Sequence, residues 1–158
     1  MMLILNIGMK KFSALIISFI MMFQGVVPLM ALPTGAEVVS GTAQFQQSLN
    51  NLTVTNSANA IIEWQKFSIG QGEMTRFNQP NASSAVLNRV VGNDLSAIYG
   101  TLSSNGTVYL TNPNGILVGP TGVIDCAGFV ASTLNISNPD FLNGNMCFVG
   151  SSKATITN

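Results

Sequence analysis

From Glu37 onward, apolar and polar residues alternate in short runs broken by Gly, Asn and Ser. The runs fall at residues 37–40, 52–55, 60–64, 85–91, 107–111, 115–118 and 128–132. Period-two alternation over four to seven residues, with turn formers between, predicts half-buried β-strands. No stretch carries the spacing of a long amphipathic helix, and residues 45–49 have room for one helical turn at most. The pattern predicts an all-β domain.

Spacing then bears on architecture. A Gly-led strand begins at Gly106 and another at Gly128, with strand, turn, strand, turn between them. Three short strands in that interval suit one coil of a parallel β-helix, whose rungs stack about 4.8 Å apart. Asn, Gly, Ser and Thr suit its corners, where left-handed backbone and side-chain-to-backbone bonds are needed. In this register Val108, Leu110, Ile116, Val118 and Phe129 point inward and stack from coil to coil. A β-sandwich would use the same strands and stays open at this point.

The segment that ends at Ala31 reads differently. Lys10 and Lys11 precede the apolar run 12–23, and Gln24, Gly25 and Pro28 break it before Leu29-Met30-Ala31. A basic start, an apolar centre and a small residue at the end describe a secretory signal peptide over residues 1–31, cleaved after Ala31. A start at Met9 would give a more compact Met-Lys-Lys opening. An uncleaved membrane anchor is the alternative, but the apolar run is short for a span of about 20 residues.

Composition narrows the function classes. The 158 residues hold six Lys+Arg, six Asp+Glu and no His. Charged residues make up 8%, against roughly 25% in an average soluble domain, while hydrophobic residues reach 47%. Without residues 1–31 the balance is four basic to six acidic, a net of −2. That is too apolar for a disordered tail and too poor in bases for an electrostatic nucleic-acid binder. The lack of His excludes Ser-His-Asp and Cys-His catalysis and His-containing zinc sites.

Candidate chemistry is sparse. Asp94, Asp125 and Asp140 stand in separate loop-like places, where a calcium-dependent polysaccharide-cleaving β-helix would need clustered carboxylates. They read as solvated turn residues, and neither catalytic residues, metal nor cofactor is expected. Glu63 and Lys66 flank Trp64 and are placed to pair, and Trp64 and Phe67 read as core or cap packing. Cys126 and Cys147 are separated by nearly the same interval as Gly106 and Gly128. One coil of separation would set them on adjacent rungs, within disulfide reach, and two cysteines in an exported chain favour a bridge. Stacked free thiols are the alternative.

One motif has a definite shape. In Asn112-Pro113-Asn114-Gly115-Ile116, Asn hydrogen-bonds the backbone ahead of it, Pro fixes φ, and Asn-Gly accepts positive φ. Alone it describes a tight turn. Around it stand Thr107-Val108-Tyr109-Leu110-Thr111 and Ile116-Leu117-Val118-Gly119, with Ile62-Glu63-Trp64-Gln65-Lys66-Phe67 and Phe77-Asn78-Gln79-Pro80-Asn81 upstream and Gly128-Phe129-Val130-Ala131-Ser132 downstream. These ordered blocks resemble the N-terminal secretion (haemagglutination activity) domain of the filamentous haemagglutinin family of two-partner secretion exoproteins, over about residues 32–150.

The resemblance implies a right-handed parallel β-helix with an N-terminal β cap. It implies passage through the general secretory machinery into the periplasm. There the domain would engage an outer-membrane β-barrel transporter bearing periplasmic polypeptide-transport-associated domains, and the protein would end up secreted or on the cell surface. Asn112 to Ile116 match the family's secretion signature. A further Asn-Pro signature found in some members is absent from Gly92-Asn93-Asp94-Leu95-Ser96. Residues 32–158 are expected to be the N-terminal part of a longer secretion domain, with any passenger beyond. Three functional readings follow: a secretion signal that nucleates β-helix folding, an adhesin module that itself contacts cells, and a polysaccharide-active enzyme.

Overall fold

The computed structural model describes residues 31–158; apart from Ala31, the expected signal peptide lies outside them. Its strands are β1 (Glu37–Ser40), β2 (Ala43–Gln47), β3 (Asn51–Asn56), β4 (Ala60–Trp64), β5 (Met74–Asn78), β6 (Ala85–Val90), β7 (Ser96–Ile98), β8 (Thr101–Thr111), β9 (Ile116–Val118), β10 (Val123–Ser132), β11 (Asn135–Ile136), β12 (Phe148–Val149) and β13 (Ile156–Thr157). One short helix, α1 (Asn138–Leu142), lies between β11 and β12.

The pairing is that of a parallel β-helix with three faces per coil. On one face β3, β5, the first half of β8 and the first half of β10 stack in parallel. On the second, β4, β6 and the second halves of β8 and β10 do the same. The third face joins β7, β9 and β13, with Ile69 bridging to Ile98. β8 serves two faces because it bends: Cys126 pairs with Ser104 and Gly128 with Thr107, so Asn105 and Gly106 stand opposite Ala127 alone. That bulge is the corner, and it shifts the expected Gly106-to-Gly128 stack by one residue.

Antiparallel strands close the N-terminal end. β1 pairs with β4 and β2 with β3, covering two edges that would otherwise offer free backbone groups. Residues 45–47, within the stretch that had room for one helical turn at most, lie in β2, because Phe45 pairs with Val54 and its ring meets Trp64 edge-on at 5.7 Å. Trp64 and Phe67 are buried, with their rings 5.6 Å apart, as core packing requires.

Inside, side chains repeat in register. Ala60, Val86, Val108 and Phe129 form one stack. Ile62, Asn88, Leu110 and Ala131 form another, in which Asn88 is a polar rung. Asn88 is satisfied by accepting from Trp64 Nε1 at 2.9 Å and donating to the Tyr109 carbonyl at 3.3 Å. Val108, Leu110 and Ile116 are fully buried, whereas Val118 and Phe129 are half-buried against the same core.

The outer face of β4–β6–β8 is also covered. Ile61 and Leu87 point away from the interior, yet Ile136 and Phe141 bury them in a second cluster. The covering segment is β11, α1 and β12. Ser137 caps α1: its Oγ accepts from the Asp140 N–H at 3.2 Å and donates to the Asp140 carboxylate at 2.6 Å. Arg89 fastens the segment down, donating to Asn135 Oδ1, the Ile136 carbonyl and Asn138 Oδ1 at 2.7–2.8 Å. The expected Glu63–Lys66 pair does not form. In-register strands bring Glu63 beside Arg89 at 2.8 Å, and Lys66 meets Asp94 at 2.8 Å.

Candidate functional site

Asn112 to Ile116 form the turn between β8 and β9, at the corner joining the second and third faces. Asn112 is 0% exposed, and its amide serves as a bracket. Nδ2 donates to the Asp94 carbonyl at 3.0 Å and to Ser96 Oγ at 2.9 Å, both on the coil below. Oδ1 accepts from the backbone N–H of Asn114 at 2.9 Å and from its Nδ2 at 3.0 Å. The backbone N–H of Asn112 donates to the Ser132 carbonyl on the coil above at 2.9 Å.

The turn is thus tied both downward and upward. Asn114 Nδ2 reaches the Gly92 carbonyl at 2.8 Å. The Gly115 N–H closes the turn on the Asn112 carbonyl at 3.1 Å. Gly115 has φ of +112°, and a Cβ there would stand 3.2 Å from the Thr155 carbonyl oxygen. Both conformation and space therefore call for glycine. Ser152 Oγ donates to the Pro113 carbonyl at 2.7 Å, and Ile116 plugs the interior.

The side chains of Pro113 and Asn114 face out. Open grooves flank them: one of about 420 Å³ along Leu95, Asn114, Leu117 and Lys153, the other of about 300 Å³ along Val90, Val91, Pro113 and Leu134. The corner is a rigid exposed knuckle between two depressions. Sequence reasoning missed Gly92, Asp94 and Ser96 as its support. That stretch holds the Asn bracket through two carbonyls and a hydroxyl, and carbonyls leave no residue-type signal.

The aspartates do not converge. Asp94 pairs with Lys66 and thereby raises the lysine pKa, Asp125 lies on β10, and Asp140 sits in the first turn of α1. The expected Cys126–Cys147 bridge is corrected by the structure: both are free thiols. The residue one rung from Cys126 is Ser104. The excursion through β11 and α1 consumes the residues that would have formed a full coil, so Cys147 falls in an exposed loop before β12. Cys126 is half-buried, with its Sγ 3.7 Å from the Leu102 carbonyl. Burial, and secondarily the Asp125 carboxylate, push its thiol up to about 11.

Comparison with known proteins gives this corner a context. The TPS secretion domain family model matches residues 29–158. A heme/hemopexin-binding protein of Haemophilus influenzae strain Rd is 40% identical over 106 residues, covering 66% of this chain and 12% of that protein. A second H. influenzae heme/hemopexin-binding protein is 36% identical over 106 residues, again 66% of this chain, and 11% of its own length. The chain thus spans about an eighth of these curated relatives. Among solved structures, the HMW1 secretion domain from H. influenzae superposes with a TM-score of 0.76 at 45% identity, over 78% of this chain and 34% of that one. The family match takes in every described coil and the knuckle with them: this chain belongs to the TPS secretion domain family.

Proposed function

We propose that the Asn112–Ile116 knuckle is the surface by which a cognate outer-membrane β-barrel transporter recognises this domain, through the transporter's periplasmic polypeptide-transport-associated domains. The domain then nucleates β-helix folding at the cell surface. Residues 1–31 act as the signal peptide that delivers the chain to the periplasm by the general secretory route. The observation that carries the reading is the split within the motif. Asn112, Gly115 and Ile116 are consumed by the fold, whereas Pro113 and Asn114 are held rigidly with their side chains outward. A preorganised feature loses little entropy when bound. The role is recognition and folding, with no chemical step assigned to Asp94, Asp125 or Asp140.

The test is calorimetric binding of the purified domain to the periplasmic part of its cognate transporter. Pro113→Ser and Asn114→Ala are each expected to weaken binding about tenfold, the loss of roughly one good contact. Unchanged affinity in both variants, with the fold intact, would move recognition elsewhere on the solenoid.

A further inference from the structure

Glu73 is a buried carboxylate, 7% exposed. Its backbone N–H closes a turn on the Gly70 carbonyl at 3.0 Å, and Gly72 within that turn has φ of +79°. The carboxylate folds back into the turn. Oε2 accepts from the Gly70 N–H at 2.7 Å, and the Ala31 N–H lies 3.0 Å from Oε1 and 3.2 Å from Oε2. A Cβ on Gly70 would stand 3.0 Å from Oε2, so a larger residue there would push the carboxylate back by a few tenths of an ångström. The two ion pairs among the described residues are Lys66–Asp94 and Arg89–Glu63; neither involves Glu73. A carboxylate this far from water is costly unless a cation or several donors meet it. Two backbone amides meet Glu73, that of Gly70 and that of Ala31, the residue after which cleavage is expected.

We propose that Glu73 is the receptor for the chain's own processed amino terminus, a binding site for a primary α-ammonium. The proposal rests on the export reading above. Hydrolysis of the Ala31–Leu32 peptide bond by signal peptidase leaves a carboxylate on the leader and an α-ammonium on Leu32. The new ammonium lies at most ~3.6 Å along the chain from the amide it replaces. Leu32 is 4% exposed, and the Thr34 N–H bonds the Lys66 carbonyl at 2.9 Å, so the segment is held in place beside the Gly70 corner. Before cleavage Glu73 meets neutral amides; afterwards it meets a full opposite charge, and an ion pair compensates a buried carboxylate more fully than a neutral donor does. Processing thereby tightens the end of the solenoid from which folding would start.

The experiment compares the exported, processed protein with a chain made in the cytosol whose Leu32 is preceded by Met-Gly-Ala. Both carry wild-type Glu73 or Glu73→Gln and are unfolded in urea at pH 6.5, where an α-amino group is charged. Glu73→Gln is expected to reduce the folding constant of the processed chain about tenfold more than that of the extended one. Equal losses would overturn the proposal. Should Glu73→Gln fail to fold, acetylation of the wild-type α-amine provides the second measurement. Protection of at least about tenfold over the urea-unfolded chain supports the site, and a freely reactive native amine refutes it. Intact mass separates the underlying readings. A first residue beyond Leu32 sinks this site but leaves the secretion domain standing, whereas an exported chain that keeps residues 1–31 overturns the cleaved-signal reading and this proposal with it.

Discussion

Replacing Asn112 and Asn114 by alanine separates what the knuckle does for the fold from what it does for export. Asn112→Ala removes the donor to the Asp94 carbonyl and Ser96 Oγ and the acceptor for both Asn114 groups. At about 1 kcal/mol net per bond, with Ser96 left buried and short of a partner, the loss is roughly 3–5 kcal/mol. That is a large share of the ~5–15 kcal/mol stability of a typical domain, and it should lower Tm by roughly 10–20 °C. Asn114→Ala breaks only exposed or half-exposed bonds, to the Gly92 carbonyl and Asn112 Oδ1, and should cost about 1 kcal/mol. Melting curves give the stability ranking, and export in a strain carrying the cognate barrel gives the function. The expected outcome is that Asn114→Ala loses export far out of proportion to its small loss of Tm. Wild-type export by Asn114→Ala, with Asn112→Ala failing only as far as its Tm predicts, would refute the reasoning and reduce the motif to a tight turn.

Leu110→Asp places a carboxylate between Asn88 and Ala131 in an interior stack. It should prevent folding, since lost burial alone is worth about 1.5–3 kcal/mol; an unchanged melting curve would refute the register. Arg89→Met should cost about 3 kcal/mol by stranding Glu63 and three acceptors, with hydrogen exchange rising first in β11 and α1; uniform exchange across the coils would contradict the clasp. For Cys126, a thiol raised to about 11 stays protonated at pH 8. It should therefore react about 100-fold more slowly than an ordinary thiol, while exposed Cys147 labels at once; equal rates would show that β10 opens freely. The raised value also fixes a sign: neutral Cys126 supports the fold below its unfolded pKa, and that support fades as pH climbs toward about 11. Urea midpoints of wild type and Cys126→Ser should converge over that window.

What was legible in the sequence follows from which face of a strand meets what. The strands at 52–55 and 107–111 stood out because Val and Leu alternate there with Thr toward the interior, and 60–64 because it is apolar on both faces. β5 did not, since Met74-Thr75-Arg76-Phe77-Asn78 shows only one strongly apolar inward residue, Phe77; Thr75 is also buried, but as a polar rung. The helix carried a cap signal in Ser137, Pro139 and Asp140, yet so short an element leaves too little periodicity to stand out. The disulfide inference failed for a related reason. Constant coil length was assumed from two glycines, and the outward excursion that buries Ile61 and Leu87 breaks it. At the knuckle the motif was readable, while its foundation was not, because Asn112 and Asn114 donate to the Asp94 and Gly92 carbonyls, which carry no residue-type signal, and to a single serine hydroxyl, Ser96 Oγ.

The in-register parallel rungs have a kinetic consequence. Asn51 pairs with Met74, Ala60 with Val86 and Ala85 with Thr107, so partners recur at nearly the same interval along the chain. Each new rung closes a loop of nearly constant size, and its entropic cost does not grow as the chain lengthens. A chain arriving from one end meets a finished template one coil behind it, and the antiparallel strands of β1 and β2 stop growth in the opposite direction. Growth from the capped end then proceeds coil by coil, each addition at about the same entropic cost as the last. The costly step is seating the first coil, which has no finished rung beneath it.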